Sequence, residues 1–263
     1  MSAGAAIIET MRVAVLHPGE MGAAVGAQLV SAGHETVWDP DGRSPATRRR
    51  AEQAGLIADP DARTAEVVIS VCPPSAALEM ARSLAGTTGL VIDANAVSPA
   101  TALEIGEVLN GRWVDGAIVG PPPRQAGTTR LYLSGPRAEE AAELFRGPHL
   151  EPVVLEGSPV AASAVKMAYA AWTKGSAALL LATMETARGH GVEAALRGEW
   201  ERSQPALAQR LTGAERSARD KGWRWVGEME EIAATFAAVD QPDGFHRAAA
   251  EVFRRYPRPA DSA

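Results

Sequence analysis

A glycine-containing turn near the start of the chain is suited to phosphate binding. An apolar run, Arg12 to Leu16, precedes the sequence His-Pro-Gly-Glu-Met-Gly, and apolar residues at helical spacing follow it. Such a turn lets backbone amides approach a diphosphate, and the N-terminus of the next helix stabilises the phosphate charge. The motif is G-x-G-x-x-G with His17 replacing the first glycine. We expect diphosphate contacts from Pro18, Gly19, Glu20, Met21 and Gly22.

The alternative is a glycine turn that only connects strand to helix. His17 either crowds this turn or contacts the diphosphate, and the sequence leaves both readings open.

The loop after the second strand-like run carries groups that would meet an adenosine ribose. Asp39 lies twenty residues after Gly19, a position where a carboxylate favours the free hydroxyls of NAD. Arg43 and Ser44 follow and could hold the 2′-phosphate of NADP by charge-assisted hydrogen bonds. We predict NADP as the preferred cofactor and NAD as the alternative, because the loop is long enough to carry Asp39 and Asp41 outward.

Lys166 has surroundings suited to proton transfer. A carbonyl that receives hydride develops negative charge on oxygen and needs a proton donor beside it. Apolar neighbours over residues 164–168 would desolvate Lys166 and lower its pKa toward the useful range. We therefore predict that Lys166 is a general acid/base, the alternative being a surface lysine on a long helix.

Alternating strands and helices are expected to position these groups. Predicted strands cover residues 12–16, 35–38, 67–71, 90–93 and 113–119, with two more at 131–134 and 153–155. Predicted helices cover residues 22–32, 46–54, 75–84 and 100–109. This alternation implies right-handed crossovers and a parallel sheet covered on both faces.

The second half of the chain is rich in alanine and leucine. A helix is predicted from Pro159 to Gly189, followed by helices separated at Pro205, Gly213, Gly222 and Pro242. The expected fold class is α/β: an N-terminal Rossmann doubly wound parallel sheet, then an all-α C-terminal domain with a long interdomain helix. We assign residues 1–158 to NAD(P) binding and residues 159–263 to substrate binding and dimerisation.

Composition excludes several classes of protein. The 263 residues are 46% hydrophobic with a net charge of -6, and there is no basic block to bind nucleic acid. No apolar run reaches the roughly 18 residues needed to span a membrane, and the N-terminal segment does not resemble a signal peptide, so we expect a cytoplasmic protein. The single cysteine, Cys72, and the spacing of the histidines predict no disulfide and no metal site.

The chain resembles the β-hydroxyacid dehydrogenase superfamily, which includes 6-phosphogluconate dehydrogenase, 3-hydroxyisobutyrate dehydrogenase and the imine reductases. The resemblance covers nearly the whole chain. Besides the turn at Gly19, it rests on the segments Val71-Cys72-Pro73-Pro74, Asn95-Ala96-Val97-Ser98-Pro99, Asp115 to Pro122 and Gly157 to Ala170. It implies an NAD(P)-dependent oxidoreductase with a small-molecule substrate, and a homodimer whose helical domains complete each other's sites.

The resemblance also implies roles for individual residues. Cys72 and Pro73 match the loop beside the nicotinamide ribose, and Asn95 matches the loop after the next strand. Lys166 matches the family's catalytic lysine, whereas the asparagine normally four residues later is Ala170, for which Tyr169 could substitute. The substrate-binding residues implied are Ser98, Val119, Gly120, Pro121 and Tyr169. Two further candidates come from their positions alone: Lys174, two turns beyond Lys166, either orients a substrate carboxylate or caps a solvated face, and Trp225 could line a substrate pocket.

The substrate segment departs from the family pattern, because Gly120, Pro121 and Pro122 replace the usual serine and two glycines. Lys166 favours reversible hydride transfer to a small polar carbonyl or hydroxy compound. The alternatives are an NADPH-dependent imine reductase and a catalytically silent nucleotide-binding protein.

Two further patterns have ordinary interpretations. Ser163-x-x-Lys166 also matches serine-lysine hydrolases, but the lysine-threonine-glycine strand that this chemistry needs is missing. Trp225 either lines a pocket or packs in the core, and we expect Glu228, Glu230 and Glu231 on a solvated helix face.

Overall fold

One sheet organises the first part of the chain in the computed structural model, which describes residues 10–145 and 147–258. Over these residues its eight strands are β1 (Arg12–Val15), β2 (Glu35–Trp38), β3 (Ile57–Ala58), β4 (Val67–Ser70), β5 (Leu90–Asp93), β6 (Trp113–Val119), β7 (Thr129–Ser134) and β8 (Leu150–Val154). Their order across the sheet is β3-β2-β1-β4-β5-β6-β7-β8. The chain places β2 and β3 on one side of β1 and later strands on the other, so the carboxyl ends of β1 and β4 flank a switch point.

All pairings are parallel except that of β6 with β7. The connection between these two strands, residues 120–128, contains no helix. A parallel pair would need a long crossover, so this short connection returns the chain antiparallel. The sequence had led us to expect a parallel sheet, but β7 and β8, which are parallel to each other, run opposite to the other six strands.

Helices cover both faces of the sheet. They are α1 (Glu20–Ser31), α2 (Pro45–Gln53), α3 (Pro74–Ser83), α4 (Pro99–Val108) and the short α5 (Ala138–Ala142). Alternate residues of β1 pack into different cores: Val13 and Val15 on one face, Ala14 and Leu16 on the other. A strand buried on both faces reads as a continuous apolar run, which is why β1 was recognisable.

The rest of the chain is helical: α6 (Ala161–Gly189), α7 (Glu193–Ser203), α8 (Ala206–Ala237) and α9 (Gly244–Arg254). The chain divides into two compact units, Met1–Lys166 and Met167–Ala263, so the division falls inside α6. In the second unit, buried Met229 and Ile232 of α8 and Phe253 of α9 belong to the core. No helix within the described ranges is long and apolar enough to cross a membrane.

The expected fold class is confirmed, but the prediction of helix breaks at Gly213 and Gly222 is wrong. Both glycines lie inside α8, which runs unbroken for 32 residues. A glycine costs a helix only about 1 kcal/mol relative to alanine, which tertiary packing readily offsets. At Gly222 a Cβ would lie 3.0 Å from the Cβ of Tyr256, so the missing side chain permits close packing.

Candidate active site

The turn between β1 and α1 has the geometry of an anion site. A Cβ on Gly22 would lie 2.1 Å from the carbonyl oxygen of His17, so only glycine lets α1 begin this close to the strand. Gly19 is the N-cap of α1, makes no side-chain cap bond, and a Cβ there would meet nothing within 4 Å. The first amides of a helix lack intrahelical acceptors and favour negative charge. The residues present therefore fit a dinucleotide diphosphate.

His17 occupies this turn as a neutral imidazole. Burial lowers the pKa of His17 to about 4, and the guanidinium groups of Arg43 and Arg63 lower it further, against a smaller opposing effect of Asp39. Its Nδ1 atom is buried without a hydrogen-bond partner among the described residues. The replacement of the first glycine thus adds a polar, uncharged group beside the anion site.

Asp39 follows β2 and is already engaged. Its Oδ1 accepts the backbone amide of Asp41 at 2.9 Å, and its Oδ2 lies 3.5 Å from Nη2 of Arg63. Asp39 is only 8% exposed, so the expectation that the loop carries it outward is wrong. Arg63 lies in a single 3-10 turn, Ala62–Thr64, which the sequence analysis did not recognise.

The other two candidates in the loop after β2, Ser44 and Arg43, have different local roles. Ser44 is the N-cap of α2, and its hydroxyl accepts the amide of Thr47 at 3.3 Å. Arg43 has its Nε buried without a hydrogen-bond partner in the part of the chain that the structure describes. Such a donor is costly to bury and is available to an incoming acceptor.

Asn95 joins the loops that follow β4 and β5. Its Oδ1 accepts the backbone amide of Cys72 at 2.6 Å, and its Nδ2 donates to Oγ of Ser70 at 3.0 Å and to Asp93. Asn95 therefore holds the Cys72 loop in place. Burial raises the pKa of the Cys72 thiol to about 12, with a further rise from Asp93, so this thiol remains protonated.

Two aspartates are neighbours in the sheet, Asp93 at the carboxyl end of β5 and Asp115 in the first half of β6. Asp93 and Asp115 are paired in register. Burial raises the pKa of Asp93 to about 8, and repulsion from Asp115 adds to this effect. Burial also raises the pKa of Asp115, which its hydrogen bonds oppose. Asp93 is therefore largely protonated at neutral pH.

Asp115 fixes the start of α6. Its Oδ2 accepts the amide of Ser163 at 2.8 Å and the hydroxyl of Ser134 at 3.0 Å, while its Oδ1 accepts the hydroxyl of Ser163 at 2.5 Å. The amide of Ala162 donates to Ser134 Oγ at 3.0 Å. These contacts satisfy amides that a helix leaves without partners. Ser163 thus has a structural role, contrary to that of a hydrolase nucleophile.

Lys166 lies one turn further along α6. Its Nζ donates to the carbonyl oxygen of Ile118, near the end of β6, at 2.7 Å. Burial lowers the pKa of Lys166 to about 8. An amine with such a pKa exchanges protons in both directions near neutral pH, as a general acid/base must.

The predicted substrate residues of the first unit have backbone or capping roles. Ser98 is the N-cap of α4 and accepts the amide of Thr101 at 3.2 Å. Val119 is buried at the end of β6. Gly120 has φ +127, where a Cβ would lie 2.4 Å from the Thr128 carbonyl oxygen, so only glycine fits.

The remaining predicted substrate residues belong to the second unit. Tyr169 is half exposed. Lys174 forms an ion pair with Glu228, and both side chains are mostly buried. The expectation that Glu228 lies on a solvated face is wrong, since a lysine of α6 pairs with it. Trp225 packs edge to face on Phe253 with ring centroids 5.0 Å apart.

Sequence reasoning missed the polar network beneath the site. The missed residues are Arg63, Ser70, Asp93 and Ser134, and Asp115 was recognised only as part of a motif. A signal for the aspartates exists, because Asp93 is an acidic residue that ends an apolar strand and Asp115 is an acidic residue within one. Nothing local in the sequence marks Arg63 or Ser134.

Comparisons with known proteins place the chain among dehydrogenase-like proteins. Residues 187–256 match a family model described as a domain of unknown function (DUF1932). No curated protein matches the chain. The conserved protein MTH1747 of unknown function, whose structure reveals similarity with 3-hydroxyacid dehydrogenases, is 30% identical over 94% of this chain and 96% of its own, with a TM-score of 0.70.

More distant structures share the fold alone. 3-Hydroxyisobutyrate dehydrogenase from Salmonella typhimurium is 17% identical, with a TM-score of 0.67 over 96% of this chain and 98% of its own. A reductive aminase from Aspergillus terreus, solved with NADPH and ethyl levulinate, is 17% identical, with a TM-score of 0.57 over 94% and 93%. The resemblance stated from the motifs is confirmed, and the identity and coverage of MTH1747 assign this chain to the family of 3-hydroxyacid dehydrogenase-like proteins.

Proposed function

We propose that the protein is an NAD(P)-dependent oxidoreductase that transfers hydride between nicotinamide and a small polar carbonyl or hydroxy compound. The observation that carries this proposal is Lys166, whose buried amine has a pKa of about 8 beside the carboxyl end of β6. Nicotinamide, when bound, supplies or accepts the hydride.

The cofactor would lie across the carboxyl ends of β1 and its neighbours. Support comes from the uncapped N-terminus of α1, from the glycine required at Gly22, and from the switch point of the strand order. We assign cofactor contacts to Pro18, Gly19, Glu20, Met21, Gly22, Arg43, Ser44, Cys72, Pro73 and Asn95. Nucleotide binding is assigned to residues 1–158, and substrate binding and dimerisation to residues 159–263.

Lys166 moves the proton that accompanies the hydride. In reduction, its ammonium group donates a proton to the carbonyl oxygen as negative charge develops there, leaving a neutral amine. In oxidation, the neutral amine accepts the hydroxyl proton. The carbonyl of Ile118 holds Nζ by one hydrogen bond, and an ammonium group has two further donors for substrate.

Substitution of Lys166 by alanine tests this assignment. We expect Lys166→Ala to lower turnover roughly a hundredfold while leaving the dissociation constant for the cofactor nearly unchanged. Steady-state assays with NADPH and NADH against keto acids and cyclic imines give turnover, and calorimetry gives cofactor affinity. Unchanged turnover would remove Lys166 from the mechanism.

The same assays separate two other functions. Reduction of cyclic imines alone would make the protein an imine reductase, a reaction that does not need a lysine to protonate oxygen. Cofactor binding without turnover on any substrate would make it a nucleotide-binding protein.

We also propose a homodimer that forms through α6. The resemblance to dimeric dehydrogenases implies it, and α6 exposes an apolar stripe that we define as Tyr169, Trp172 and Leu179. Trp172 and Leu179 are 70% and 69% exposed, and they lie seven residues apart on one helix face. Large apolar side chains exposed together typically mark an interaction surface.

A further inference from the structure

The acidic residue after β2 is placed as in an NAD site, yet its carboxylate is occupied from within the protein. Oδ1 of Asp39 accepts the amide of Asp41, and Oδ2 faces the guanidinium of Arg63. With its side chain only 12% exposed, Asp39 has little surface left for a ligand. A ribose diol needs an accessible carboxylate acceptor, and this one is mostly covered and already paired with Arg63.

The surrounding charge favours an anion at this place. Besides the effect of burial, the guanidinium groups of Arg43 and Arg63 lie close enough to His17 to lower its pKa, against a smaller opposing effect of Asp39. His17 adds no charge, because its imidazole is neutral at pH 7.

A donor is also left unused in the same cluster. Nε of Arg43 is buried and has no hydrogen-bond partner among residues 10–145 and 147–258. Both Arg43 and Arg63 lower the pKa of the same imidazole, that of His17. A phosphate bound there would accept from guanidinium donors, the geometry that arginine serves best.

We propose that Arg63 is a specificity-determining residue: by pairing with Asp39 it removes a carboxylate that would repel a 2′-phosphate, and so selects NADP over NAD. This inference rests on the proposed function. It differs from a role for Arg43 and Ser44 as direct phosphate ligands, since Arg63 acts through the acidic residue. The pair is distant in sequence, 24 residues apart.

Cofactor binding to four forms of the full-length protein tests the proposal. They are wild type, Arg63→Ala, Asp39→Asn and the double variant, titrated with NADPH and with NADH by calorimetry. Arg82→Ala is the control for loss of one positive charge, because Arg82 is an exposed arginine on α3 with only a long surface ion pair.

The expected pattern has three parts. Wild type binds NADPH more tightly than NADH. Arg63→Ala weakens NADPH binding by at least about tenfold, because the unpaired carboxylate of Asp39 then repels the 2′-phosphate, while NADH binding holds or improves. The double variant binds NADPH several-fold more tightly than Arg63→Ala, because the released carboxylate is gone; Asp39→Asn and Arg82→Ala keep the preference for NADPH.

Each contrary result has a distinct meaning. If wild type binds NADH more tightly than NADPH, or if Arg63→Ala weakens the binding of both cofactors equally, the inference is overturned and the oxidoreductase proposal stands. A double variant no better than Arg63→Ala would overturn the indirect action through Asp39. If wild type binds neither cofactor, the proposed function itself fails.

Discussion

Lys166 is the residue whose protonation should govern the rate. Its pKa is about 8, because burial disfavours the ammonium form. Reduction needs the protonated amine, so we expect kcat/KM for reduction to fall as pH rises through about 8, and kcat/KM for oxidation to rise over the same range. Measuring both profiles from pH 6 to 10 checks this.

The control is the residual activity of Lys166→Ala, which should lack the inflection near pH 8. A wild-type profile that is flat between pH 7 and 9 would contradict the role of Lys166.

The raised pKa of Asp93 predicts how the stability of the folded protein depends on pH. Its folded pKa is raised to about 8, whereas an unfolded aspartate has a pKa of about 3.9. The folded state therefore holds more protons than the unfolded state between these values, and the free energy of unfolding falls as pH rises from about 4 to about 8. Asp93→Asn removes this loss, and we expect its free energy of unfolding to gain roughly 3.5 kcal/mol on that of wild type between pH 5 and pH 8.

Urea unfolding at the two pH values measures this difference. Asp220→Asn, at an exposed position on α8, is the matched control and should show no such change. If the free energy of unfolding differs between Asp93→Asn and wild type by the same amount at both pH values, Asp93 does not hold its proton in the folded state.

For single residues, sequence reasoning succeeded where the cause of a property lies in neighbouring residues of the chain. The depressed pKa of Lys166 was predictable because its apolar neighbours lie within two residues on the same helix. Two other contacts could not be predicted: the pairing of Asp39 with Arg63 and the capping of α6 by Asp115. Each joins segments that only the folded sheet brings together.

The turn before α1 gives a prediction at the scale of elements. Gly22→Ala would push a Cβ into the carbonyl of His17, and we expect it to destabilise the protein by about 1–3 kcal/mol. Gly19→Ala has open space and an extended backbone, φ -67 and ψ -166, so it should leave the melting temperature unchanged while weakening cofactor binding.

Thermal unfolding and cofactor titration of both variants separate the two effects. Equal melting temperatures for the two variants would mean that the close approach at Gly22 is not required.

The bounds of an element were predictable where the residue type changes clearly at the end of an apolar run. β2, β5 and β6 were predicted at their observed bounds, each an apolar run that ends at a polar or glycine-containing loop. β3, with two residues, and α5, with five, are too short to show a period. Gly222 reads as a helix breaker in sequence, and only its contact with Tyr256 explains why α8 continues.

The α6 stripe gives the prediction for the whole molecule. We expect light scattering to give twice the monomer mass, and Leu179→Arg to shift the protein toward monomers because it places a charge in an apolar interface. Leu103→Arg, at an exposed leucine on α4, is the control and should remain dimeric. A wild-type monomer at micromolar concentration would exclude this dimer.

The fold class was predictable as a whole because regular alternation of strand and helix permits few topologies. The reversed direction of β7 and β8 was missed, because it depends on the connection formed by residues 120–128, which has no periodic pattern. The boundary between the two compact units was not visible in the sequence, because the helical pattern of α6 continues across Lys166.

The protonated thiol of Cys72 has a practical consequence for labelling. With a pKa of about 12, only about one molecule in 100,000 carries a thiolate at pH 7, and thiolate is the form that maleimides and disulfide reagents attack. Since this is the only cysteine of the chain, a cysteine engineered on the surface should take a fluorophore or spin label selectively in the otherwise native protein. Spectroscopy of cofactor-dependent motion could therefore begin without first replacing Cys72.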